Sequence, residues 1–333
     1  MPTSAELKMT TAGKTHWVGV DLGGTKILAG VFDSKYECVS RMKISTKADR
    51  GPAGVIERVV RCVKDALDEC DLSPADIGGI GVGAPGAIDS AKGRVIFAPN
   101  LGWKDVPLKA ELERELGVPV SVENDCKLHT LGVYEVELES KPRDVIGVFL
   151  GTGIGAGIII DGKPFRGFNG SAGEVGHMVI DVNGPVCGCG NRGCFEALAS
   201  RRAIFRTIHA AVQQGQKTLL VDMLGKDLED MRSGDLRKAV RRGDRFVGEV
   251  IDRSAHHTGI AVGNLINLFN PEVIVLGGGI IEQLEHEMLP IIEKVAREHA
   301  LPGTDEGIQI VATRLGDDAG TTGGAVLARR AKT

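Results

Sequence analysis

With 333 residues, 42% of them hydrophobic, the chain is long enough for two domains and apolar enough to bury a large core, which excludes a disordered or fibrous protein. The formal charge of -4 is spread over mixed-sign stretches, so no basic face able to hold a phosphate backbone is expected and nucleic acid is not an expected ligand. The most apolar stretch, Val145 to Ile160, is cut by five glycines and is too short to span a bilayer, so a core strand pair rather than a membrane segment is expected there.

In chain order, residues 1 to 15 carry Lys8 and Lys14 among Ser, Thr and Gly, lack the apolar run of a signal peptide, and read as a frayed tail. The first folded segment, His16 to Asp33, places the runs WVGV and ILAGVF on either side of the turn Asp21-Leu22-Gly23-Gly24-Thr25-Lys26, the pattern of a β-hairpin with a glycine-rich bend. The same design returns at Val145 to Asp161, where a shift of 128 residues puts Gly23 on Gly151, Val20 on Val148 and Asp33 on Asp161. Two hairpins of one design suggest two domains of related topology; a chance match of glycine-rich hairpins is the other reading. Apolar residues at Val55, Ile56, Val59, Val60, Val63 and Leu67 predict an amphipathic helix over Val55 to Cys70. Ile77 to Val82 predicts a buried strand ending at Gly83-Ala84-Pro85-Gly86, and Val118 to Val122 a strand running into Glu123-Asn124-Asp125.

A helical region is expected from Ser200 to about Leu268, with breaks near Gly215 and Gly243. Val273 to Leu276 then predicts a strand that breaks at Gly277-Gly278-Gly279 and opens a helix from Ile280 to about His299. Asp317 to Arg330 has an Asp-Asp cap and small apolar residues, as a closely packed helix needs. This alternation places the chain in the α/β class. The expected division is a small α/β domain over 1–140, joined by the C-terminal helix 317–333, and a large α/β domain over 141–316 that carries a metal-binding loop at 170–196. A hinge is expected around Glu135 to Arg143.

Three glycine turns follow strands: Gly23-Gly24-Thr25, Gly151-Thr152-Gly153-Ile154-Gly155 and Gly277-Gly278-Gly279. Glycine lets backbone amides approach phosphate oxygens and threonine adds a hydroxyl donor. A Walker loop over Gly19 to Lys26 fails because Thr25 precedes Lys26 and a strand follows. Dinucleotide fingerprints at Gly81-Gly83-Gly86 and Gly151-Gly153-Ala156 fail on Pro85 and on the β-run that follows. Asp21, at the end of a buried strand, either meets a magnesium ion carrying ATP phosphates or fixes its own turn by hydrogen bonds. Asp125 at a strand end is either a general base for an attacking hydroxyl, with Asn124 holding a neighbouring one, or part of a capping pair for the next helix.

Seven cysteines are an odd number, and Cys187, Cys189 and Cys194 crowd into one loop with His177 ten residues upstream of the first. With no signal peptide seen, this argues for a reducing cytoplasm and against a disulfide framework. Three thiolates and an imidazole are the ligand set of a closed structural zinc site; free buried thiols or a redox pair are the alternatives. Glu174 and Glu196 flank that loop and are either partners for sugar hydroxyls or solvated glutamates.

DLGGTK at 21–26, PNLGW at 99–103, ENDC at 123–126, LGTGIGAG at 150–157, GEVGH at 173–177 and CGCGNRGCFE at 187–196 together resemble the ROK family of sugar kinases and repressors, most closely its bacterial glucokinases. The resemblance covers residues 16 to 330. It implies an actin-like ATPase, hexokinase-type fold, with two α/β domains around a cleft, the last helix returning to the first domain, and closure on sugar. It implies ATP-dependent phosphorylation of glucose at the 6-hydroxyl, with kinases for N-acetylmannosamine, fructose or allose as the alternative. By the resemblance Asp125 is the base, and Asn100, Asn124, Glu174, His177 and Glu196 contact glucose. Gly24, Thr25, Thr152, Gly153 and Gly278 hold ATP, joined by Asp21, Gly23, Lys26, Gly151, Gly277 and Gly279 from the turns themselves. His177, Cys187, Cys189 and Cys194 bind zinc, so that His177 couples metal to sugar. ATP, Mg²⁺ and structural Zn²⁺ are thus the expected cofactors, sugar and ATP the expected partners, and a homodimer or homotetramer the expected assembly. Polyphosphate is a second donor to test. A sugar-sensing repressor of the same family needs a helix-turn-helix ahead of the first strand, and the short tail is not expected to hold one. The chain departs from the family pattern at Cys126-Lys127-Leu128-His129, where small residues are usual, and this bears on helix packing behind the base and on sugar preference.

Overall fold

The computed structural model describes residues 14–331, so the frayed-tail reading, apart from Lys14 and Thr15, lies outside the described residues. The chain forms two compact units. The first contains residues up to 143 together with 157–173 and 317 onward; the second contains 144–156 and 174–316. The expected second domain, 141–316, is therefore interrupted: residues 157–173 count with the first unit.

The first unit opens with β1 (His16–Leu22) and β2 (Lys26–Phe32), whose side chains are almost all buried, followed by β3 (Cys38–Ser45). β1 and β2 are antiparallel, with Leu22 opposite Ile27, and the Gly23 amide closes the turn on the Lys26 carbonyl at 2.9 Å. Helix α1 (Gly51–Asp68) starts with proline in its first turn and buries Val55, Val59, Val63 and Leu67, one stripe at helical spacing. Strand β4 (Ile77–Ala84) is buried along its whole length. A separate three-stranded sheet follows, β5 (Ala87–Asp89), β6 (Arg94–Ala98) and β7 (Trp103–Val106), then α2 (Leu108–Leu116), β8 (Val120–Asn124) and α3 (Asp125–Gly132). A single π turn, Val133–Glu137, continues α3 and reaches into the start of the segment expected to hold a hinge, 135–143. The main sheet has the order β3-β2-β1-β4-β8, with β1, β4 and β8 parallel.

The second unit begins with β9 (Val145–Leu150), a turn, and the first three residues of β10 (Ile154–Ile160). The rest of β10 forms a short hairpin with β11 (Lys163–Pro164) that belongs to the first unit. The second unit resumes with helices α4 (Phe195–Ala199), α5 (Arg201–Gln213), α6 (Leu219–Leu224), α7 (Ser233–Arg241) and α8 (Arg245–Phe269). The breaks expected near Gly215 and Gly243 are present, and α6 and α7 fill the region between them. Strand β12 (Val273–Gly277), helix α9 (Ile281–His299) and β13 (Gln309–Ala312) complete the unit. β12 runs parallel to both β9 and β13, with Gly277 level with Phe149.

Helix α10 (Asp318–Arg330) returns to the first unit and is nearly all small and buried. The reason is backbone-to-backbone packing. A Cβ on Gly19 of β1 would stand 1.6 Å from the Thr321 carbonyl oxygen, and one on Gly81 of β4 would stand 1.9 Å from that of Gly324. Glycine at these sheet positions lets the helix lie directly on β1 and β4. Among the described residues no helix is long and apolar enough to cross a membrane.

Candidate functional site

In the first unit the parallel register brings the polar strand ends level: Asp21 of β1 opposite Gly83 of β4, and Gly83 and Ala84 opposite Glu123 and Asn124 of β8. Ligands of open α/β sheets gather at such carboxyl ends. Asn124 is the N-cap of α3: its Oδ1 accepts the Lys127 amide at 3.3 Å and its Nδ2 donates to the Gly86 carbonyl at 3.2 Å. The cap fixes where α3 begins, and so where Asp125, its first residue, stands. One Asp125 oxygen accepts the Cys126 amide at 2.8 Å.

Burial pushes the Asp125 carboxyl above the usual carboxylate range; His129 opposes the shift and the Asp21 carboxylate adds to it. His129, one helical turn on from Asp125, places Nε2 3.6 Å from Asp21 Oδ2. The departure at 126–129 is thus accommodated: Lys127 and Leu128 are buried, and Gly320 of α10 leaves the space that His129 and Asp21 share, since a Cβ there would be 2.6 Å from His129 Nε2.

Just ahead of the Asn124 cap, the buried Glu123 carboxylate accepts Ser90 Oγ at 2.8 Å and Arg166 Nε at 2.7 Å. The other two motifs of this unit also meet, because Gly24 lies against the Asn100 carbonyl, 3.2 Å from where a Cβ would sit. Thr25 and Asn100 are exposed. Lys26 pairs with an acid, its Nζ 2.5 Å from Asp317 Oδ1, just ahead of α10. Burial works against ionisation of Asp317, but the Lys26 hydrogen bond and the charges of Lys26 and Lys43 hold its carboxyl below the usual range.

In the second unit two glycine turns leave the ends of the neighbouring parallel strands β9 and β12. Gly151 donates its amide to the Gly153 carbonyl at 2.9 Å, and Gly278, at φ 86°, packs on the Leu150 backbone, where a Cβ would be 2.6 Å from the carbonyl oxygen. Only glycine meets both demands at 278. Glu196 of α4 accepts the Ile154 amide at 2.9 Å, and Gly153 makes room for that carboxylate. Glu174 is exposed, and its carbonyl accepts the His177 amide at 3.0 Å in the short 3₁₀ turn Val175–His177.

The thiol loop converges as the spacing predicts. Ligand atoms of His177, Cys187, Cys189 and Cys194 all lie within 4.8 Å of one another. Sulfurs at the corners of a zinc tetrahedron, with Zn–S about 2.3 Å, stand about 3.8 Å apart. Here the Cys189 and Cys194 sulfurs are 3.7 Å apart, and Cys187 Sγ is 3.8 Å from His177 Nδ1. Burial pushes the Cys194 thiol up to about 12, with its thiol neighbours adding to the shift, whereas the Asn191 amide draws Cys189 down. A divalent cation is what would let all three sulfurs ionise together, so the donor set fits a metal.

Sequence reasoning missed one feature of this unit. A cavity of about 520 Å³ is lined by Arg201, Phe205, Met231, Ser233, Gly279 and Gln283, among others. Its volume suits a nucleotide-sized ligand. One local signal was available: an arginine directly after the N-cap Ser200, where the helix dipole disfavours a cation.

Comparison with known proteins is consistent across sequence and structure. The model of the ROK family matches residues 17–331. A glucokinase of Halalkalibacterium halodurans is 35% identical over 316 residues, covering 94% of this chain and 95% of the relative. The crystal structure of a ROK family glucokinase from Streptomyces griseus, in complex with glucose and AMPPNP, matches with a TM-score of 0.83 at 34% identity, over 95% of this chain and 99% of that one. A xylose repressor of Bacillus spizizenii is 32% identical over 307 residues, 92% of this chain and 75% of the repressor.

Proposed function

The chain belongs to the ROK family, with its actin-like ATPase fold, and on that premise we propose that it is an ATP-dependent sugar kinase that phosphorylates glucose at the 6-hydroxyl. The single observation that carries this reading is Asp125, placed at the end of β8 by the Asn124 cap, with burial and the Asp21 carboxylate raising its carboxyl above the usual range. A base of that kind is matched to taking a proton from a sugar alcohol. The glucokinase relatives support the sugar class and the donor.

In this mechanism Asp125 accepts the proton of the attacking hydroxyl; the candidate hydroxyl partners are Asn100 and Asn124 on the first unit and, on the second, Glu174, His177 and Glu196. Two of these groups already have a structural task. Asn124 caps α3 and Glu196 holds the Ile154 amide, so each would offer sugar only its remaining hydrogen-bonding capacity. The turns at Gly23 to Thr25, Gly151 to Gly153 and Gly277 to Gly279 offer backbone amides to the phosphates. Magnesium, bound with ATP, would offset phosphate charge, with Asp21 holding its water shell. Zinc on His177, Cys187, Cys189 and Cys194 would fix the loop from 174 to 196. With His177 Nδ1 toward the thiols, Nε2 is the nitrogen for a sugar hydroxyl.

A coupled assay with ATP against glucose, mannose, N-acetylmannosamine and fructose tests the reading, and glucose should give the highest kcat/KM. Asp125→Ala should lower turnover by about 10²–10⁴-fold while glucose binding stays measurable; full activity in that variant dismisses the assignment. The similarity to a xylose repressor supports a second reading, a sugar-responsive regulator. Sugar binding with no phosphotransfer to any member of the panel would favour it.

A further inference from the structure

Arg201 joins the glycine turn after β9 to the cavity, whose wall also includes Gly279 of the turn after β12. The Arg201 amide donates to the Gly151 carbonyl at 3.0 Å, and its guanidinium, through Nη2, donates to the Thr152 hydroxyl. Helix α5 starts here, behind Ser200, whose buried Oγ accepts the Ala203 amide at 3.2 Å. A cation in the first turn of a helix opposes the dipole and needs another reason for its place.

No carboxylate pairs with this guanidinium among the described residues. Burial alone lowers its pKa, with no anion offsetting the cost. Two further cations line the cavity, Arg232 and Lys238, along with the carboxylates of Asp235 and Glu282, and Lys238 is paired with Asp235 at 3.0 Å. The guanidinium gives one nitrogen to the Thr152 hydroxyl and has five N–H donors in all, so it keeps donors that an anionic ligand could accept. A second observation is independent of the first: Ser233, 7% exposed and lining the same cavity, has an Oγ with no hydrogen-bond partner. Phe205 and Met231 add apolar wall on which a base could lie.

We infer that Arg201 is a phosphate-binding residue for the donor, holding the Thr152 hydroxyl with one nitrogen and a phosphate of a nucleoside diphosphate or triphosphate with its remaining N–H groups, while Ser233 contacts the same ligand. This rests on the kinase reading. A guanidinium can bridge a hydroxyl and a phosphate at fixed angles, whereas an ammonium in its place is a point charge that cannot reach both.

The test is calorimetric titration, without sugar, of adenosine, Mg-ADP and inorganic tripolyphosphate into the wild-type chain, Arg201→Met and Arg201→Lys. We expect Arg201→Met to weaken Mg-ADP by about tenfold to a hundredfold, as loss of a charge-assisted hydrogen bond does, and adenosine by less than about twofold. Arg201→Lys should fall between. The KM for ATP should rise in Arg201→Met while the KM for glucose stays unchanged. Equal weakening of adenosine and Mg-ADP, or no weakening of Mg-ADP, overturns the assignment. Tripolyphosphate binding as tightly as Mg-ADP overturns the nucleoside part of it. Failure of the wild-type chain to bind Mg-ADP at all sinks the kinase reading itself, so the two failures are distinguishable.

Discussion

Asp125 carries both a chemical and a thermodynamic consequence of its surroundings. Its folded-state pKa is raised above the unfolded value, chiefly by burial, so the native state binds the proton more tightly than the unfolded chain does. The ionised carboxylate therefore costs stability at neutral pH, and the cost disappears as pH falls through the raised folded pKa. Two results follow. If Asp125 is the base, as proposed above, it must be ionised to work and the acidic limb of the kcat/KM profile should lie above the ordinary aspartate range; an acidic limb near the unperturbed aspartate value would contradict the burial argument. Asp125→Asn should be nearly inactive yet melt at a higher temperature than wild type at pH 7, measured by calorimetry. Of this site, the strand end and the Asn-Asp pair were legible in the sequence. The coupling of Asp125 to His129 and Asp21 was not, because it joins a helical neighbour at i+4 to a residue more than a hundred positions upstream.

At the scale of elements, two packings are exposed to single changes. Helix α10 sits on glycines of β1 and β4, so Gly81→Ala forces a Cβ against the Gly324 carbonyl and should destabilise by about 1–3 kcal/mol or more, read as a lower denaturation midpoint. An unchanged midpoint would mean that the helix is not seated as described. The thiol loop is the other case. Cys187→Ser with Cys189→Ser should abolish zinc content by elemental analysis, weaken glucose binding, and open residues 174–196 to proteases. Unchanged glucose affinity together with no zinc in the wild-type chain would remove the metal from the account. The sequence announced both elements, one by its run of small residues and one by its Cys spacing. It did not announce β5, β6 and β7, whose short strands lack sustained alternation, nor the two-residue β11.

For the whole molecule, the first unit is assembled from three stretches of chain and the second from two, with α10 arriving from the far end to cover β1 and β4. Deleting residues after Leu315 should therefore leave the first unit without a cooperative transition, as its sheet would lose one covered face; a cooperative melt in the truncated chain would show that α10 is dispensable. The sequence by itself determined the α/β class, the two related hairpins, the glycine turns, the thiol and imidazole ligand set and the candidate base, because each is written in residues close together along the chain. Tertiary structure alone decided that 157–173 belong with the first unit, that Lys26 pairs with Asp317, that Gly320 makes room for His129 beside Asp21, and that Arg201 and Ser233 share one cavity. These last features depend on contacts between residues far apart in sequence, and local propensity and spacing carry no information about which distant backbones will meet.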